Sequence, residues 1–364
     1  MDYKHRSILD SLPNYKQGKP APALDGIRAY KISSNENPFE PLESVKNAIS
    51  SRALDVINRY PNMRGTEVVE ELAKKFSVTP DEVVLGCGST EVITQLVDLV
   101  AGPGDEVIYP WRSFEAYPII VTGAGATSVK IPNRADGSHD VDAMIDAINE
   151  RTRLVILNNP NNPTSAQLSD EDARKVLDAV PSDVLVLIDE AYVQFNNAKG
   201  TADGMQLYRE YPNVVVAQTF SKAYGLAGLR IGYAIGAADV VDGMRKVAVP
   251  FGVSQIAQVA AIASLEPQAL VEMRNRVDAL VKERNRVVSG LREQGWNIAE
   301  PYANFFWMPF GEDTERANKR FVDAGLSVRA FAGEGIRITI AETEANDRVL
   351  KICESLKKDG FSLK

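Results

Sequence analysis

The stretch Val184-Leu185-Val186-Leu187-Ile188 constrains the fold of this chain more than any other, because it is unbroken in β-branched or leucine side chains and ends directly on two carboxylates, Asp189 and Glu190. A strand with one face in water alternates apolar and polar residues, so an uninterrupted run predicts a strand covered on both faces. Similar short runs recur at Val83–Leu85, Val107–Tyr109, Leu154–Leu157, Val214–Ala217 and Ile231–Ala234, with helix-like stretches between several of them. The pattern predicts an α/β fold with a mostly parallel central sheet layered by helices. Between the first two runs in the chain, Ile93, Leu96, Val97 and Val100 recur at helical spacing after the capping residues Ser89 and Thr90, so a strand is expected to enter a helix through Gly86-Cys87-Gly88-Ser89.

At 364 residues the chain is long enough for two domains at ~150 residues each. The stretch up to about Asn37 is rich in Pro, Asn, Ser and Lys and reads as an extended arm. From Pro267 the pattern changes to a long charged helix whose apolar side is Met273, Val277, Leu280, Val281, Val287 and Leu291, followed by strand-like segments at Asn304–Met308 and Ile336–Ile340. The expected division is therefore an arm over residues 1–45 that forms part of a small domain, a large domain over 46–262, and a smaller α+β domain over 263–364.

Several function classes drop out on composition. Forty-nine acidic against forty-one basic side chains leave a net charge of −8, so the chain has no global positive field for a nucleic acid or an anionic membrane, and a phosphate must be held locally. Cys87 and Cys353 stand far apart and in no metal-ligand spacing, which makes a disulfide framework or a metal site unexpected. The two histidines, His5 and His139, lie among polar residues and are expected at the surface. No apolar run approaches a membrane span, and the start, MDYKHRSILD, has no long apolar region; a cytoplasmic protein is expected.

Three segments carry chemistry, each directly after a strand-like run. Thr219-Phe220-Ser221-Lys222 leads into Arg230 through a glycine-containing loop, Asp189-Glu190-Ala191-Tyr192 closes the most apolar strand, and Asn158-Asn159-Pro160-Asn161-Asn162-Pro163-Thr164 is a turn. Open α/β sheets place ligands at such strand ends. Taken singly, Lys222 could be a solvated loop lysine, and Asp189 could cap the next element or pair with a structural arginine. A carboxylate at the mouth of a buried strand should face a cation.

Together with Ser34-Asn35-Glu36-Asn37-Pro38, Asn58-Arg59-Tyr60-Pro61 and Gly335-Ile336-Arg337-Ile338-Thr339, these segments resemble the fold-type I pyridoxal-phosphate aminotransferases over nearly the whole chain. Within them the chain is most similar to the histidinol-phosphate aminotransferase branch and its aromatic-amino-acid relatives. Trp111–Pro118 and Phe331–Gly335 look more like the aromatic relatives.

The resemblance implies pyridoxal 5′-phosphate as cofactor, with Lys222 as the amine that bonds its aldehyde and Asp189 paired with the protonated pyridine nitrogen. Tyr192 and Asn162 would donate to its 3′-oxygen, and Phe114 would stack on the ring. Backbone N–H groups at Gly88, Ser89 and Thr90, a helix N-terminus, would hold the phosphate with Thr219, Ser221 and Arg230. Tyr60 would reach that phosphate from the neighbouring subunit, implying a homodimer with shared sites.

Arg337 would take the substrate α-carboxylate by paired hydrogen bonds. Arg337 with Arg329 could instead serve the phosphate of histidinol phosphate, which Glu334 would repel if it pointed inward, whereas Tyr15, Phe331 and Phe251 could wall an aromatic ring. The expected reaction is transfer of nitrogen from an aromatic amino acid to a 2-oxo acid such as 2-oxoglutarate in two half-reactions, with Lys222 moving the proton. Transamination of histidinol phosphate is the alternative. A non-catalytic ligand-sensing module is more remote, since no DNA-binding segment accompanies the chain. A decarboxylase or lyase would share Lys222 and Asp189. One departure stands out: the Asn-Pro-Thr turn usually continues with glycine in this family, and here it continues with Ser165.

Overall fold

The computed structural model describes residues 3–12, 14–16, 18, 20 and 25–364. Its strands are β1 Tyr30–Lys31, β2 Val83–Gly86, β3 Glu106–Trp111, β4 Thr127–Pro132, β5 Thr152–Asn158, β6 Leu185–Asp189, β7 Val214–Thr219, β8 Gly232–Ile235, β9 Phe305–Met308, β10 Leu326–Ser327, β11 Arg329–Phe331 and β12 Gly335–Thr339. Strands β2 to β8 form one sheet in the order β2-β8-β7-β6-β5-β3-β4. All of its neighbours pair in parallel except β8, which runs antiparallel to both β2 and β7.

The six apolar runs of the sequence all lie in this sheet, and β5, β6 and β7 are buried along nearly their whole length, as the lack of alternation required. The seventh strand, β4, was not legible. It is one of the two edge strands, opposite the buried β2, and its residues Thr127, Lys130 and Pro132 are exposed, so it does not need a continuous apolar signature.

One helix packed against the sheet matters for the site. Ser89–Val100 buries Val92, Ile93, Leu96 and Val97 at helical spacing, and its first turn lies against β8. The approach is so close that a Cβ on Gly232 would come within 2.4 Å of the Ser89 amide nitrogen, so only glycine fits there.

In the C-terminal part, the helix Pro267–Glu293 buries Met273, Val277, Leu280, Val287 and Leu291. Strands β11, β12 and β9 form a second, antiparallel sheet. β1 of the N-terminal arm pairs with β10, which ties the arm to this part of the chain. Among the described residues no helix is long and apolar enough to cross a membrane.

The sequence expectation for His139 is overturned. Its polar neighbours suggested a surface position, but the hairpin turn at Gly137 tucks under Thr164, whose Oγ1 donates to the Gly137 carbonyl at 2.8 Å, and the imidazole is 4% exposed. Burial lowers its pKa to about 4, so it is neutral at pH 7. His5 is exposed as expected.

Candidate active site

Three neighbouring strands deliver the chemistry to one edge of the sheet. β5 ends on Asn158, β6 on Asp189 and β7 on Thr219, with Asn158 in register with Asp189, and Asp189 with Ala217. A cavity of about 240 Å³ opens there. Among the residues expected from sequence it is lined by Ser89, Thr90, Phe114, Asn162, Asp189, Tyr192, Thr219, Ser221, Lys222, Arg230 and Tyr15.

Asp189 is 3% exposed, and its hydrogen-bond donors are the Tyr117 hydroxyl at 2.6 Å and the Ala191 amide at 3.3 Å. Both are neutral. Burial raises its pKa to about 6 against these two bonds, which is what a carboxylate experiences when no cation faces it. Tyr117 was missed in the sequence because a tyrosine in the first turn of a helix, Ala116–Ala124, reads as core. The ring is buried and meets Phe114 edge-on at 5.5 Å, fixing the aromatic wall of the cavity.

Lys222 follows β7 by three residues, and its Nζ donates to the Ser34 carbonyl at 3.0 Å. Burial, with Arg337 adding repulsion and Glu36 opposing, lowers its pKa to about 7. An ordinary lysine is almost wholly charged at neutral pH; this one has a large neutral fraction, which is the form that can attack a carbonyl carbon or accept a proton. Ser34 and Glu36 belong to the Ser34–Pro38 segment, whose residue types alone assign neither a role. Their main-chain and electrostatic contributions have no side-chain signature in sequence.

At the other end, Gly88 takes φ 79° before the helix Ser89–Val100. A Cβ there would fall 2.5 Å from Arg230 Nη2, so the glycine leaves room for the guanidinium to cross the helix start. Arg230, at φ 56°, donates to the Ala227 and Cys87 carbonyls at 3.1 and 3.2 Å and approaches Ser221 Oγ at 3.5 Å. Thr219 and Ser221 hydroxyls are 2.9 Å apart. Free first-turn N–H groups, two hydroxyls and a guanidinium make a cup for an anion.

Tyr192 lies over Phe305 edge-on at 4.9 Å, and its hydroxyl accepts from Asn35 Nδ2 at 2.9 Å, which leaves its own proton free to be donated into the cavity. Burial raises its pKa to about 12. Asn162 Oδ1 accepts a hydrogen bond from Arg337 Nη1, and Ser33 carbonyl accepts from Arg337 Nη2 at 2.6 Å. Arg337 is buried, not solvent-facing, and its Nε has no hydrogen-bond partner among the described residues. An orphaned donor on a buried cation is suited to an entering carboxylate.

Other expected residues lie elsewhere. Phe331 and Arg329 line a neighbouring cavity of about 560 Å³ that shares Tyr15 with the first. Arg329 is held there by Glu115, with its Nη2 2.6 Å from Oε1. Glu334 does not point at either cavity as a free charge; Arg112 pairs with it through two nitrogens. Phe251 does not wall the first cavity. It packs on Tyr60 at 4.8 Å between ring centroids, and Tyr60 is 83% exposed.

The family described as aminotransferase class I and II matches residues 29–354. The chain is 51% identical to an aromatic amino acid aminotransferase of Streptomyces avermitilis over 356 residues, 98% of each chain. It is 48% identical to a protein of the same name from Cutibacterium acnes, over 96% of this chain and 98% of the relative. Among solved structures it is similar to histidinol-phosphate aminotransferase from Sinorhizobium meliloti in complex with pyridoxal-5′-phosphate, at TM-score 0.86 and 26% identity, covering 98% of this chain and 99% of that one. Sheet order, the chemistry gathered at its edge and these likenesses agree: the chain belongs to the class I and II aminotransferases.

Proposed function

We propose that this protein is a pyridoxal-phosphate-dependent aminotransferase that takes nitrogen from an aromatic amino acid and passes it to a 2-oxo acid. The observation that carries the reading is the meeting, in one cavity, of a buried lysine with a large neutral fraction and a buried carboxylate that no cation faces among the described residues. The residues fit the cofactor in three independent ways. Asp189 needs a cation such as a protonated ring nitrogen, the Ser89–Thr90–Arg230 cup suits a phosphate, and Lys222 is an amine ready for an aldehyde.

Bound pyridoxal phosphate supplies a carbonyl carbon for the travelling nitrogen and an electron-withdrawing ring that acidifies the substrate α-carbon. The chain supplies the rest. Asp189, oriented by the Tyr117 hydroxyl, would hold a proton on the ring nitrogen. Tyr192 and Asn162 would hold the ring through its 3′-oxygen, Phe114 would lie against it, and Arg337 would align the substrate carboxylate so that the α-hydrogen comes within reach of Lys222 Nζ. Lys222 then moves that proton, and the same amine serves the reverse half-reaction.

An aromatic side chain is favoured over a phosphate at the far end because the arginines there are already matched. Arg329 is neutralised by Glu115 and Arg112 by Glu334, while Phe331 lies beside both guanidiniums at 5.3 and 5.2 Å. The other cations lining this cavity, Lys16 and Lys130, are exposed to solvent, so a dianion would rest on those screened charges or break one of the half-buried pairs. Mixing holoenzyme with phenylalanine, tyrosine, glutamate or histidinol phosphate and following the visible absorbance of the bound cofactor tests the assignment. Phenylalanine and tyrosine should discharge it at least ~10-fold faster than histidinol phosphate, in line with a buried polar mismatch. The opposite ranking rejects the aromatic assignment.

The working unit is a homodimer in which Tyr60 reaches the partner's phosphate cup. The support is a cluster of exposed apolar side chains, Tyr60, Met63, Val249 and Phe251, that a soluble monomer has no reason to present. Mixed dimers of Lys222→Ala and Tyr60→Phe chains should regain activity, because one site per hybrid then has both native residues. Failure to recover any activity places Tyr60 in its own subunit's site. We place the protein in the cytoplasm and keep the division into an arm over 1–45, a large domain over 46–262 and a small domain over 263–364. The helices Gln255–Leu265 and Pro267–Glu293 meet at Glu266, close to the second boundary.

A further inference from the structure

Ser165 stands where the Asn-Pro-Thr turn of the family usually has glycine, and its backbone carries the cost of that exchange. Its φ is 64°, in the left-handed region that favours glycine, and the residue is fully buried. A glycine would relieve the strain, yet the serine hydroxyl has two partners a glycine could not provide for. Its Oγ accepts from the Tyr302 and Ala303 amides at 3.0 and 2.8 Å, in addition to the bond from the Tyr302 amide to the Ser165 carbonyl at 2.9 Å.

Those contacts close a ring through the molecule. Ser165 ends the turn that presents Asn162, and the Ser165 amide donates to the Asn161 carbonyl at 2.8 Å. Residues 302 and 303 lead directly into β9, which pairs with β12, where Trp307 is in register with Arg337. Arg337 completes the circuit by donating to Asn162 Oδ1. The position of the carboxylate-binding arginine relative to Asn162 is thus fixed from two sides: directly by one side-chain bond, and indirectly by the Ser165 hydroxyl.

We propose that Ser165 is a positioning residue, whose hydroxyl pins the Asn162 turn to the segment feeding β9 and so sets the geometry between Asn162 and Arg337. This rests on the reading of Asn162 as a cofactor contact and Arg337 as the carboxylate ligand. The serine trades backbone ease for a fixed distance between two parts of one site.

Two variants separate positioning from plain stability. Ser165→Ala keeps the strain and loses the acceptor, whereas Ser165→Gly removes both. Both should speed hydrogen exchange in the cofactor-free protein at the Ala303 amide and, to a smaller degree, at the Tyr302 amide, which keeps its bond to the Ser165 carbonyl, and both holoenzymes should show a roughly tenfold rise in KM for the amino acid with a smaller change in kcat. Thermal stability should fall in Ser165→Ala and hold or rise in Ser165→Gly. A Ser165→Gly enzyme with native KM, or unchanged exchange at both amides, overturns the proposal. A wild-type protein that binds no pyridoxal phosphate overturns the underlying functional reading instead, and is recognised by failing before any variant is made.

Discussion

A Lys222→Ala enzyme transaminates at least ~10⁴-fold more slowly than the wild type, because one amine serves as both the covalent attachment point and the proton carrier. The loss is not one of folding. The Lys222 amine is desolvated, and among the described residues its one hydrogen bond is to the Ser34 carbonyl, so its removal relieves an unfavourable burial, and the melting temperature should not drop. Borohydride treatment of the wild-type holoenzyme followed by peptide mapping should find a phosphopyridoxyl group on Lys222 and none at that position in the variant. An adduct elsewhere, or a variant with wild-type turnover, removes the basis of the mechanism.

Asp189→Asn should lower kcat by about 10²- to 10³-fold, the scale of removing one preorganised electrostatic partner from a buried reacting group. An amide of nearly the same shape can hold the ring in place but cannot keep its nitrogen protonated. The same substitution has an opposite effect on the empty protein. In the folded chain burial pushes the Asp189 carboxyl up to about 6, above the ordinary range of an aspartate. The folded state therefore holds more protons than the unfolded one across that interval, and stability falls as pH rises through it. That rise in pKa corresponds to ~3 kcal/mol lost between acid and neutral pH. Urea titrations of the cofactor-free protein at pH 4 and pH 7 should show this loss for the wild type and a smaller one for Asp189→Asn. Glu190, also raised by burial, to about 7, contributes in the same direction in both proteins. Equal pH slopes for the two chains exclude Asp189 as a destabilised carboxylate.

The parts of the site visible in the sequence are those fixed by local grammar. Apolar runs mark strands, and a polar residue at or just beyond the end of a run lies at the strand's mouth, which makes Asp189, Thr219 and Lys222 visible in the sequence. Gly88 and the helix after it are equally local. What was illegible depends on tertiary approach. Tyr117 becomes a partner of Asp189 only because its helix packs across the end of β6. Arg329 is taken out of contention by Glu115, a residue 214 positions away in the chain. His139 is buried by a turn that sequence alone would place in solvent. The edge strand β4 has no apolar pattern to read, since half of its surroundings are water.

The reversal of direction at β8 has a consequence for how such an enzyme can vary. β7 and β8 are antiparallel neighbours, with Thr219 opposite Gly232, so the excursion between them leaves and re-enters the sheet at the same place. Lys222 sits on the outgoing limb and Arg230 on the returning one. Adding or deleting a residue in this loop would displace the reactive amine and the anion grip together, and no compensating shift in a neighbouring strand could restore both. Natural length variation should therefore be absent between these two strands and tolerated at the far rim, where β4 borders solvent.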